Sequence, residues 1–333
     1  MKTPPAISLP QGVRDILPAE SARINSIEEA VLNVFSNYGF ERVITPMLEY
    51  LDVLSLGLDK NLKDKVVKFI EPATGRVICM RPDITPQIAR VAATRMKDTP
   101  RPLKLCYNES IIRLDTAGST KTTEILQLGA EYLSEEPSPE IDAEMVIMAL
   151  ESFKALNIKD YKIDLGDVGF IRAILDRLKL SIDERAKIKN AIAIKDTSGL
   201  EAALDEMGES IPDSSRELLI ALTTLYGEEE VIETALKFKG LSKAAKAALK
   251  NLKTMLKIIE KKGYKDLVTV DLGEVRGFDY YTGIIFEGFA DGVGKPILYG
   301  GRYDNLHGLY GLPSASTGFA FDEARLLQAI NNS

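Results

Sequence analysis

The chain has 333 residues, of which 45% are hydrophobic, enough for a large core and one to three domains. Its formal net charge of -7 disfavours a protein whose main task is to grip a nucleic-acid backbone. The single histidine, His307, excludes a histidine-centred catalytic triad and a multi-histidine metal site, and the two cysteines, Cys79 and Cys106, form no CxxC pair.

The first predicted elements are two helices with an extended segment between them. Residues 21–38 carry apolar side chains at the three- and four-residue spacing of an amphipathic helix. Residues 40–48 are predicted to be extended, and Pro46 among them is typical of an edge or interface strand. A second helix is expected to begin at Thr85, with Thr85 as its N-cap and Pro86 in its first turn.

Strands are predicted next, separated by a polar loop. Residues 103–107 form a short apolar strand, and residues 111–123 are polar and end in a stretch typical of a mobile loop. Apolar and polar residues then alternate over residues 125–133, so Gln127 and Glu131 share one face with a glycine between them. The backbone positions of these two residues would be roughly 13 Å apart, which leaves room for a small ligand between their side chains. The alternative is a solvated strand face.

The second half of the chain divides into a helical part and an extended part. Residues 168–262 show helical periodicity throughout, whereas strands are predicted on both sides of them and a last helix near Asp322. We therefore predict an α+β fold in which a helical insertion, 167–264, interrupts a core formed by residues 1–166 and 265–333. His307, within the second core segment, is interpreted as a surface helix residue.

One helix of the insertion has a basic face in this acidic protein. Its opposite face is apolar, which predicts an amphipathic helix. The basic face is either solvated or a docking surface for an acidic partner or a phosphate-bearing molecule. The lysines recur every three or four residues, at Lys243, Lys246, Lys250, Lys253, Lys257 and Lys261.

The segment Arg276-Gly277-Phe278-Asp279-Tyr280-Tyr281-Thr282-Gly283 is the most informative stretch. It places an arginine, a carboxylate and two phenols among glycines. We interpret it as a strand whose glycines allow the close approach of a ligand. Such a surface suits a small zwitterion with a ring. The alternative is a core strand with an ion pair between Arg276 and Asp279.

Other motifs fall in order around this segment: Arg81-Pro82-Asp83-Ile84-Thr85-Pro86 at a helix start, Gly300-Gly301-Arg302-Tyr303-Asp304, and Gly318 to Arg325. As an ordered set they resemble the catalytic core of class II aminoacyl-tRNA synthetases, specifically the histidyl branch, from Gln11 to Arg325. The resemblance implies an antiparallel sheet flanked by helices, with the helix at 21–38 and the strand containing Pro46 as motif 1, the dimer element.

The matching positions are those that hold histidine in that family. By resemblance, the amino group is bound near the start of the second helix, the carboxylate region is reached by an arginine, and phenols line the imidazole pocket. Asp83 stands one methylene short of the glutamate common in the synthetases. The implied histidine-binding residues are Asp83, Thr85, Gln127, Glu131, Arg276, Tyr280, Tyr281 and Tyr303.

The positions that handle ATP in the synthetases are altered. In motif 2, Tyr107 replaces the arginine that binds the α-phosphate, although Glu109 remains. A tyrosine hydroxyl lacks the positive charge and the paired N–H donors with which an arginine binds a phosphate. The following loop has Lys121 and Thr123 where arginines are usual. Motif 3 keeps Arg325, but Asp322 adds a carboxylate and Ala324 replaces an acid. The sequence ends at Ser333, and we expect no anticodon-binding domain.

An intact histidine pocket with a degraded ATP site resembles the regulatory subunits of short-form ATP phosphoribosyltransferases. That resemblance implies a non-catalytic subunit that binds histidine, activates a small catalytic subunit and carries feedback in the first step of histidine biosynthesis. It also implies a homodimer within a hetero-octamer. No cofactor, metal or nucleic acid is expected.

Two alternatives remain from the residues. One is an active histidine-adenylating enzyme, because Arg276 and Arg325 are present. The other is a histidine sensor with a different partner. The N-terminus lacks a signal-peptide pattern, no apolar run is long enough to cross a membrane, and cysteines are scarce, so we expect a cytoplasmic protein.

Overall fold

The computed structural model describes residues 9–114 and 122–332. The helices are α1 (Pro18–Asn37), α2 (Leu51–Leu54), α3 (Lys60–Lys63), α4 (Thr85–Thr94), α5 (Pro139–Ala155), α6 (Val168–Leu175), α7 (Ile182–Ala193), α8 (Thr197–Met207), α9 (Asp213–Ala221), α10 (Glu230–Leu236), α11 (Lys243–Lys261) and α12 (Glu323–Asn332). The strands are β1 (Glu41–Arg42), β2 (Leu48–Tyr50), β3 (Lys68–Ile70), β4 (Val77–Met80), β5 (Leu103–Leu114), β6 (Thr122–Ser134), β7 (Tyr161–Asp167), β8 (Tyr226–Gly227), β9 (Val268–Asp271), β10 (Ile284–Ala290), β11 (Leu298–Arg302) and β12 (Ala315–Asp322).

One large sheet forms the centre of the fold. Its nine strands lie in the order β1-β5-β6-β12-β11-β10-β7-β9-β8, and a separate small sheet has the order β2-β4-β3. The described pairs are antiparallel except β1 with β5 and β7 with β9. The predicted antiparallel sheet with flanking helices is therefore confirmed.

The two faces of β6 have different roles, as its alternating sequence predicts. Leu128 and Ala130 are fully buried in the hydrophobic cluster that includes the inner faces of α1, α5 and α12. Gln127 and Glu131 point to the opposite face because side chains alternate along a strand. Helices α1, α5 and α12 therefore cover one side of the sheet, whereas α4 packs against part of the other side, where the site forms.

The start of α4 differs from the predicted capping. Ile84 is the N-cap and makes no side-chain capping bond, while Thr85 is the first helical residue. The hydroxyl of Thr85 instead donates to Glu131 on β6 at 2.8 Å. The predicted helix is present, but Thr85 contributes to the sheet face rather than to the helix end.

The hairpin of β5 and β6 is longer than predicted. β5 continues to Leu114, and Ile111 is fully buried, so this part of the predicted loop is strand. Thr122 and Thr123 pair with Leu114 and Arg113 in the same ladder. The rest of the predicted mobile stretch, 118–121, lies outside the described residues.

The segment from Arg276 to Gly283 is a compact turn, so its prediction as a strand is wrong. Gly277 has a φ of +60°, and its carbonyl accepts hydrogen bonds from the backbone N–H groups of Tyr280 and Tyr281, both at 2.8 Å. A left-handed residue of this kind bends the chain and favours glycine. The strand itself begins at Ile284.

The region predicted as a helical insertion contains α6 to α11 and one short strand, β8. Buried side chains of α11, such as Leu249 and Leu252, belong to the same hydrophobic cluster as those of the central sheet. The division of the chain into domains stays a prediction. The lysines of α11 are exposed as predicted, except Lys253, which is partly buried and paired with Glu233 and Glu229.

His307 is buried, so its prediction as a surface helix residue is wrong. It lies in a 3₁₀ turn with 1% of its surface exposed, and its Nδ1 is 2.9 Å from the Ser316 hydroxyl. The local sequence does not reveal this burial because Ser316 comes from β12. Within the described residues, no helix combines the length and the apolar character needed to cross a membrane.

Candidate ligand-binding site

A cavity of about 390 Å³ lies on the open face of the large sheet. This volume falls within the range of about 300–1,000 Å³ that is usual for small-molecule sites. Its walls come from strands β5, β6, β10, β11 and β12, the turn before β10, the segment around α3 and the start of α4. All eight residues predicted for histidine binding line it: Asp83, Thr85, Gln127, Glu131, Arg276, Tyr280, Tyr281 and Tyr303.

The carboxylate of Glu131 is the most buried polar group of the cavity. Only 1% of the residue is exposed. Its Oε1 accepts hydrogen bonds from the hydroxyls of Thr85 at 2.8 Å and Tyr107 at 3.2 Å, and its Oε2 accepts one from the Tyr303 hydroxyl. On β12, Gly318 faces Glu131, and a Cβ there would collide with the carboxylate. Three hydroxyls and one glycine thus hold this group in place.

Two of the carboxyl groups that line the cavity, those of Glu131 and Asp83, are electrostatically coupled. Burial raises the pKa of Glu131 to about 8, and the nearby charge of Asp83 adds to the rise. Burial also raises the pKa of Asp83, whose Oδ1 accepts the N–H of Ile84 at 2.8 Å. A positively charged ligand group placed beside them would favour their ionised forms. The site is therefore suited to a cation.

An aromatic wall stands beside these carboxyl groups. The rings of Tyr280 and Tyr281 meet edge to face with centroids 5.1 Å apart, and Tyr280 lies 5.6 Å from Tyr303. The compact turn brings both neighbouring tyrosines to the cavity, whereas an extended strand would point them in opposite directions. Arg172 supports the turn by donating to the Tyr281 carbonyl at 2.8 Å. A flat ring would fit against this wall.

Arg276 lines the cavity, but carboxylates already hold it. Its Nη1 donates to both oxygens of Glu287, at 2.6 and 2.5 Å, and its Nε lies 3.7 Å from Glu274. Burial raises the pKa of Glu287 to about 7, and Arg276 opposes that rise. The alternative ion pair between Arg276 and Asp279 is wrong, since Asp279 lies 3.5 Å from Lys189 instead.

The altered ATP positions do not gather around the cavity. Tyr107 is fully buried, and Glu109 pairs with the buried Arg81 at 2.9 Å. Asp322 accepts the backbone N–H of Arg325 at 3.2 Å and pairs with its Nε at 3.1 Å. Of the four predicted positions, Tyr107, Glu109, Asp322 and Arg325, only Arg325 lines the cavity. Thr123 lies on β6, and Lys121 lies outside the described residues.

Sequence reasoning missed three charged residues of the cavity, Asp59, Arg113 and Glu287. Arg113 could have been found by extending the strand at Tyr107 with a period of two, which places residues 109 and 113 on the same face. Asp59 and Glu287 offered no such signal, because their positions depend on distant parts of the chain. In the described residues, no group of His, Cys, Asp and Glu is arranged to hold a metal ion.

Comparisons with known proteins identify the family and the fold. Residues 12–326 match the family described as histidyl-tRNA synthetase. The ATP phosphoribosyltransferase regulatory subunit of Geobacter sulfurreducens is 42% identical over 98% of this chain and 74% of its own length. The ATP phosphoribosyltransferase regulatory subunit of Moorella thermoacetica is 35% identical over 97% of this chain and 82% of its own length. The chain belongs to the family of ATP phosphoribosyltransferase regulatory subunits.

Solved structures place this regulatory subunit in the histidyl-tRNA synthetase fold. A protein of Bacillus halodurans, described as an ATP phosphoribosyltransferase regulatory subunit/histidyl-tRNA synthetase, matches with a TM-score of 0.89 at 27% identity, covering 99% of this chain and 84% of its own. A histidine–tRNA ligase subunit of Alicyclobacillus acidocaldarius matches with a TM-score of 0.80 at 25% identity, covering 98% of both chains. The predicted family, its regulatory rather than catalytic character and the class II fold are confirmed.

Proposed function

We propose that this regulatory subunit binds L-histidine in the cavity and carries histidine feedback to a short-form ATP phosphoribosyltransferase catalytic subunit, which it also activates. The reaction concerned is the first step of histidine biosynthesis. The observation that carries the proposal is the buried carboxylate of Glu131, held by three hydroxyls beside an aromatic wall. Its oxygens can also accept a hydrogen bond from a nitrogen of an imidazole.

The two ends of histidine find suitable partners in this arrangement. The imidazole is placed between Glu131 and the tyrosine wall. The ammonium group is placed near Asp83, with the Thr85 hydroxyl and Gln127 as further acceptors. The buried Oε1 of Gln127 accepts no hydrogen bond from the described residues. Because a buried acceptor without a partner is costly, a ligand that donates to it gains affinity.

Feedback follows from linkage between histidine and the complex. If histidine binds one state of the assembly more tightly, it shifts the population toward that state, and the catalytic subunit in turn changes the affinity for histidine by the same factor. Histidine affinity measured with and without the catalytic subunit should therefore differ. Equal affinities in an assembly that histidine inhibits would contradict feedback through this cavity.

Calorimetry with L-histidine tests the binding proposal. Glu131→Ala should abolish the binding signal, because the buried polar contact is worth about 1–3 kcal/mol or more. Glu124→Ala is the matched control, since Glu124 lies on the same strand but is exposed on the other face. Affinity of the wild type for histidine no better than for unrelated amino acids would contradict the proposal.

The proposed assembly is a hetero-octamer built from dimers of both chains, located in the cytoplasm. The dimer element would be α1 with the extended segment after it, as in motif 1. Both cysteines are free and buried, which suits a reducing compartment. Co-expression with a short-form catalytic subunit, followed by mass measurement of the purified complex, tests the partner and the stoichiometry. Failure to co-purify would favour a histidine sensor with another partner.

An adenylating enzyme is the competing function, favoured only by the presence of Arg276 and Arg325. Both arginines are engaged by acidic side chains, and the motif 2 position holds the buried Tyr107. We therefore expect no histidine-dependent ATP–pyrophosphate exchange. Tyr107→Arg should not create this activity, because position 107 is fully buried and does not line the cavity. Robust exchange by the wild type would favour the enzyme.

A further inference from the structure

We propose that Arg172, on helix α6, is a positioning residue for ligand binding and acts on the ligand through Tyr280 and Tyr281. This inference rests on the proposed function, because it concerns the aromatic wall of the same cavity. Arg172 belongs to the region predicted as a helical insertion, and it is not among the described residues that line the cavity. The proposal thus gives this region a part in ligand binding.

The guanidinium group of Arg172 spans the part of the compact turn that carries both rings. Its Nη2 donates to the carbonyl oxygens of Phe278 and Tyr281, the latter at 2.8 Å, and its Nη1 lies 3.5 Å from the Thr282 carbonyl oxygen. Its Cζ also lies 4.8 Å from the centroid of the Phe278 ring. Because one carbonyl precedes the two tyrosines and another follows them, the arginine holds the backbone on both sides of the rings.

The first turn of α6 also packs directly against the end of the compact turn. The backbone N–H of Val168 donates to the Gly283 carbonyl at 3.0 Å. A Cβ at Gly169 would lie 3.2 Å from the Thr282 carbonyl oxygen, so glycine permits this close approach. Arg172 follows Val168 by four residues and therefore lies on the same face of the helix. Helix α6 thus contacts the compact turn through its backbone and through this side chain.

A second contact from the same region is more exposed. Lys189, on α7, lies 3.5 Å from the carboxylate of Asp279 and 4.6 Å from the centroid of the Phe278 ring. The side chain of Asp279 is 82% exposed, and ion pairs in water contribute little. Arg172 is partly buried and binds backbone carbonyls. We therefore assign the positioning role to Arg172 rather than to Lys189.

The position of the compact turn determines the shape of the aromatic wall. The ring of Tyr280 lies between those of Tyr281 and Tyr303, at centroid distances of 5.1 and 5.6 Å. A site that is ordered before the ligand arrives avoids the entropy cost of ordering it on binding. Loss of Arg172 should therefore lower the affinity for the ligand, although the groups that contact the ligand are unchanged.

Calorimetry with L-histidine tests whether Arg172 acts through the rings. Arg172→Gln should weaken binding by about 10-fold, and by less than about threefold when Tyr281→Leu has already removed one ring, as expected for hydrogen bonds from a charged group. Arg177→Gln is the matched control, since Arg177 also donates to a backbone carbonyl, but to that of Gly240 rather than to one in the compact turn. Equal losses in the two backgrounds would overturn the role, because residues that act independently give additive effects.

Fluorine NMR of protein labelled with 3-fluorotyrosine gives a measurement that does not require binding. The Tyr281 signal, assigned with Tyr281→Phe, should shift or broaden in ligand-free Arg172→Gln, and saturating histidine should return it toward its wild-type position. The signal of Tyr226, an exposed tyrosine in the same region, should not change. A Tyr281 signal that is identical in the wild type and in Arg172→Gln would overturn the proposal.

The outcomes separate this inference from the proposed function. A wild type that does not bind histidine contradicts the proposed function, and the Tyr281 signal of the ligand-free protein still decides the role of Arg172. A wild type that binds histidine, with Arg172→Gln at the same affinity, overturns only the role of Arg172. If Arg172→Gln unfolds, Arg172→Lys takes its place. It keeps the charge without the guanidinium fork and should weaken binding by about threefold or more.

Discussion

The ring of Tyr107 covers the backbone of Gly129 on the neighbouring strand, and its hydroxyl reaches the carboxylate of Glu131 at 3.2 Å. A Cβ on Gly129 would collide with the ring, so the glycine is required by the tyrosine. Tyr107, predicted by resemblance to stand at the position of a phosphate-binding arginine, thus donates a hydrogen bond to the buried carboxylate of Glu131.

Tyr107→Phe should weaken histidine binding by about 0.5–1.5 kcal/mol, the usual worth of one hydrogen bond, while the protein stays folded. The ring still fills the space over Gly129, but Glu131 loses one donor. Calorimetry measures the affinity, and thermal unfolding checks the fold. Tyr132→Phe, on the opposite face of β6, is the control and should bind like the wild type. Unchanged affinity in Tyr107→Phe would show that its hydroxyl does not support the site.

Glu323 should make the protein less stable as pH rises. It is 1% exposed, and neither carboxylate oxygen has a hydrogen-bond partner among the described residues. Burial raises its pKa from 4.5 to about 8. Between these values the folded state keeps a proton that the unfolded chain releases, so the free energy of unfolding falls as pH rises from about 4.5 to about 8.

Glu323→Gln should remove this contribution. The variant should be more stable than the wild type at pH 8, by about 1 kcal/mol or more, and should differ less from it at pH 5. Urea denaturation at both pH values measures the difference. Glu124→Gln, an exposed glutamate, should show no pH-dependent difference. Equal destabilisation of Glu323→Gln at both pH values would contradict the burial argument.

His307 should remain neutral throughout the physiological range. Burial lowers its pKa from 6.5 to about 4, and its ring stacks on Tyr303 with centroids 6.2 Å apart. The unfolded chain takes up a proton near pH 6.5 and the folded state does not, so the free energy of unfolding rises as pH rises from about 4 to 6.5.

This single histidine gives one imidazole signal in NMR spectra of labelled protein. That signal should stay at its neutral position down to about pH 5 in the folded protein. In urea it should titrate near pH 6.5, which serves as the control. Titration of the folded protein near pH 6.5 would show that His307 is accessible to solvent.

The lysines of α11 should tolerate charge reversal without loss of fold or histidine binding. Lys246, Lys250 and Lys257 are exposed, whereas Lys253 pairs with Glu233 and is excluded from the test. The variant with all three changed to Glu should melt and bind histidine like the wild type.

If the same face docks the catalytic subunit, the triple variant should weaken the complex at low salt and less at high salt. If the triple variant and the wild type form equally stable complexes at all salt concentrations, the lysines only interact with solvent. Tight, salt-sensitive tRNA binding by the wild type that disappears in the variant would contradict our interpretation of this helix.

The sequence by itself determined the family, the order of the main elements and eight of the residues that line the cavity. Period-two alternation in β6 predicted which face would carry Gln127 and Glu131. Helical spacing in α11 predicted the exposed lysines correctly, with the exception of Lys253. These predictions succeeded because each depends on side chains within one element, whose geometry follows from local periodicity.

Only the tertiary structure decided how the charges and rings are partnered. Gly277 bends the Arg276–Gly283 segment into a turn, and this brings Tyr280 and Tyr281 to the same cavity. Arg276 is held by Glu287, and His307 is buried against Ser316. Local periodicity cannot predict such contacts because the partners come from different elements. Their pairing depends on how the strands are ordered in the sheet. Burial then shifts the pKa values of the charged groups.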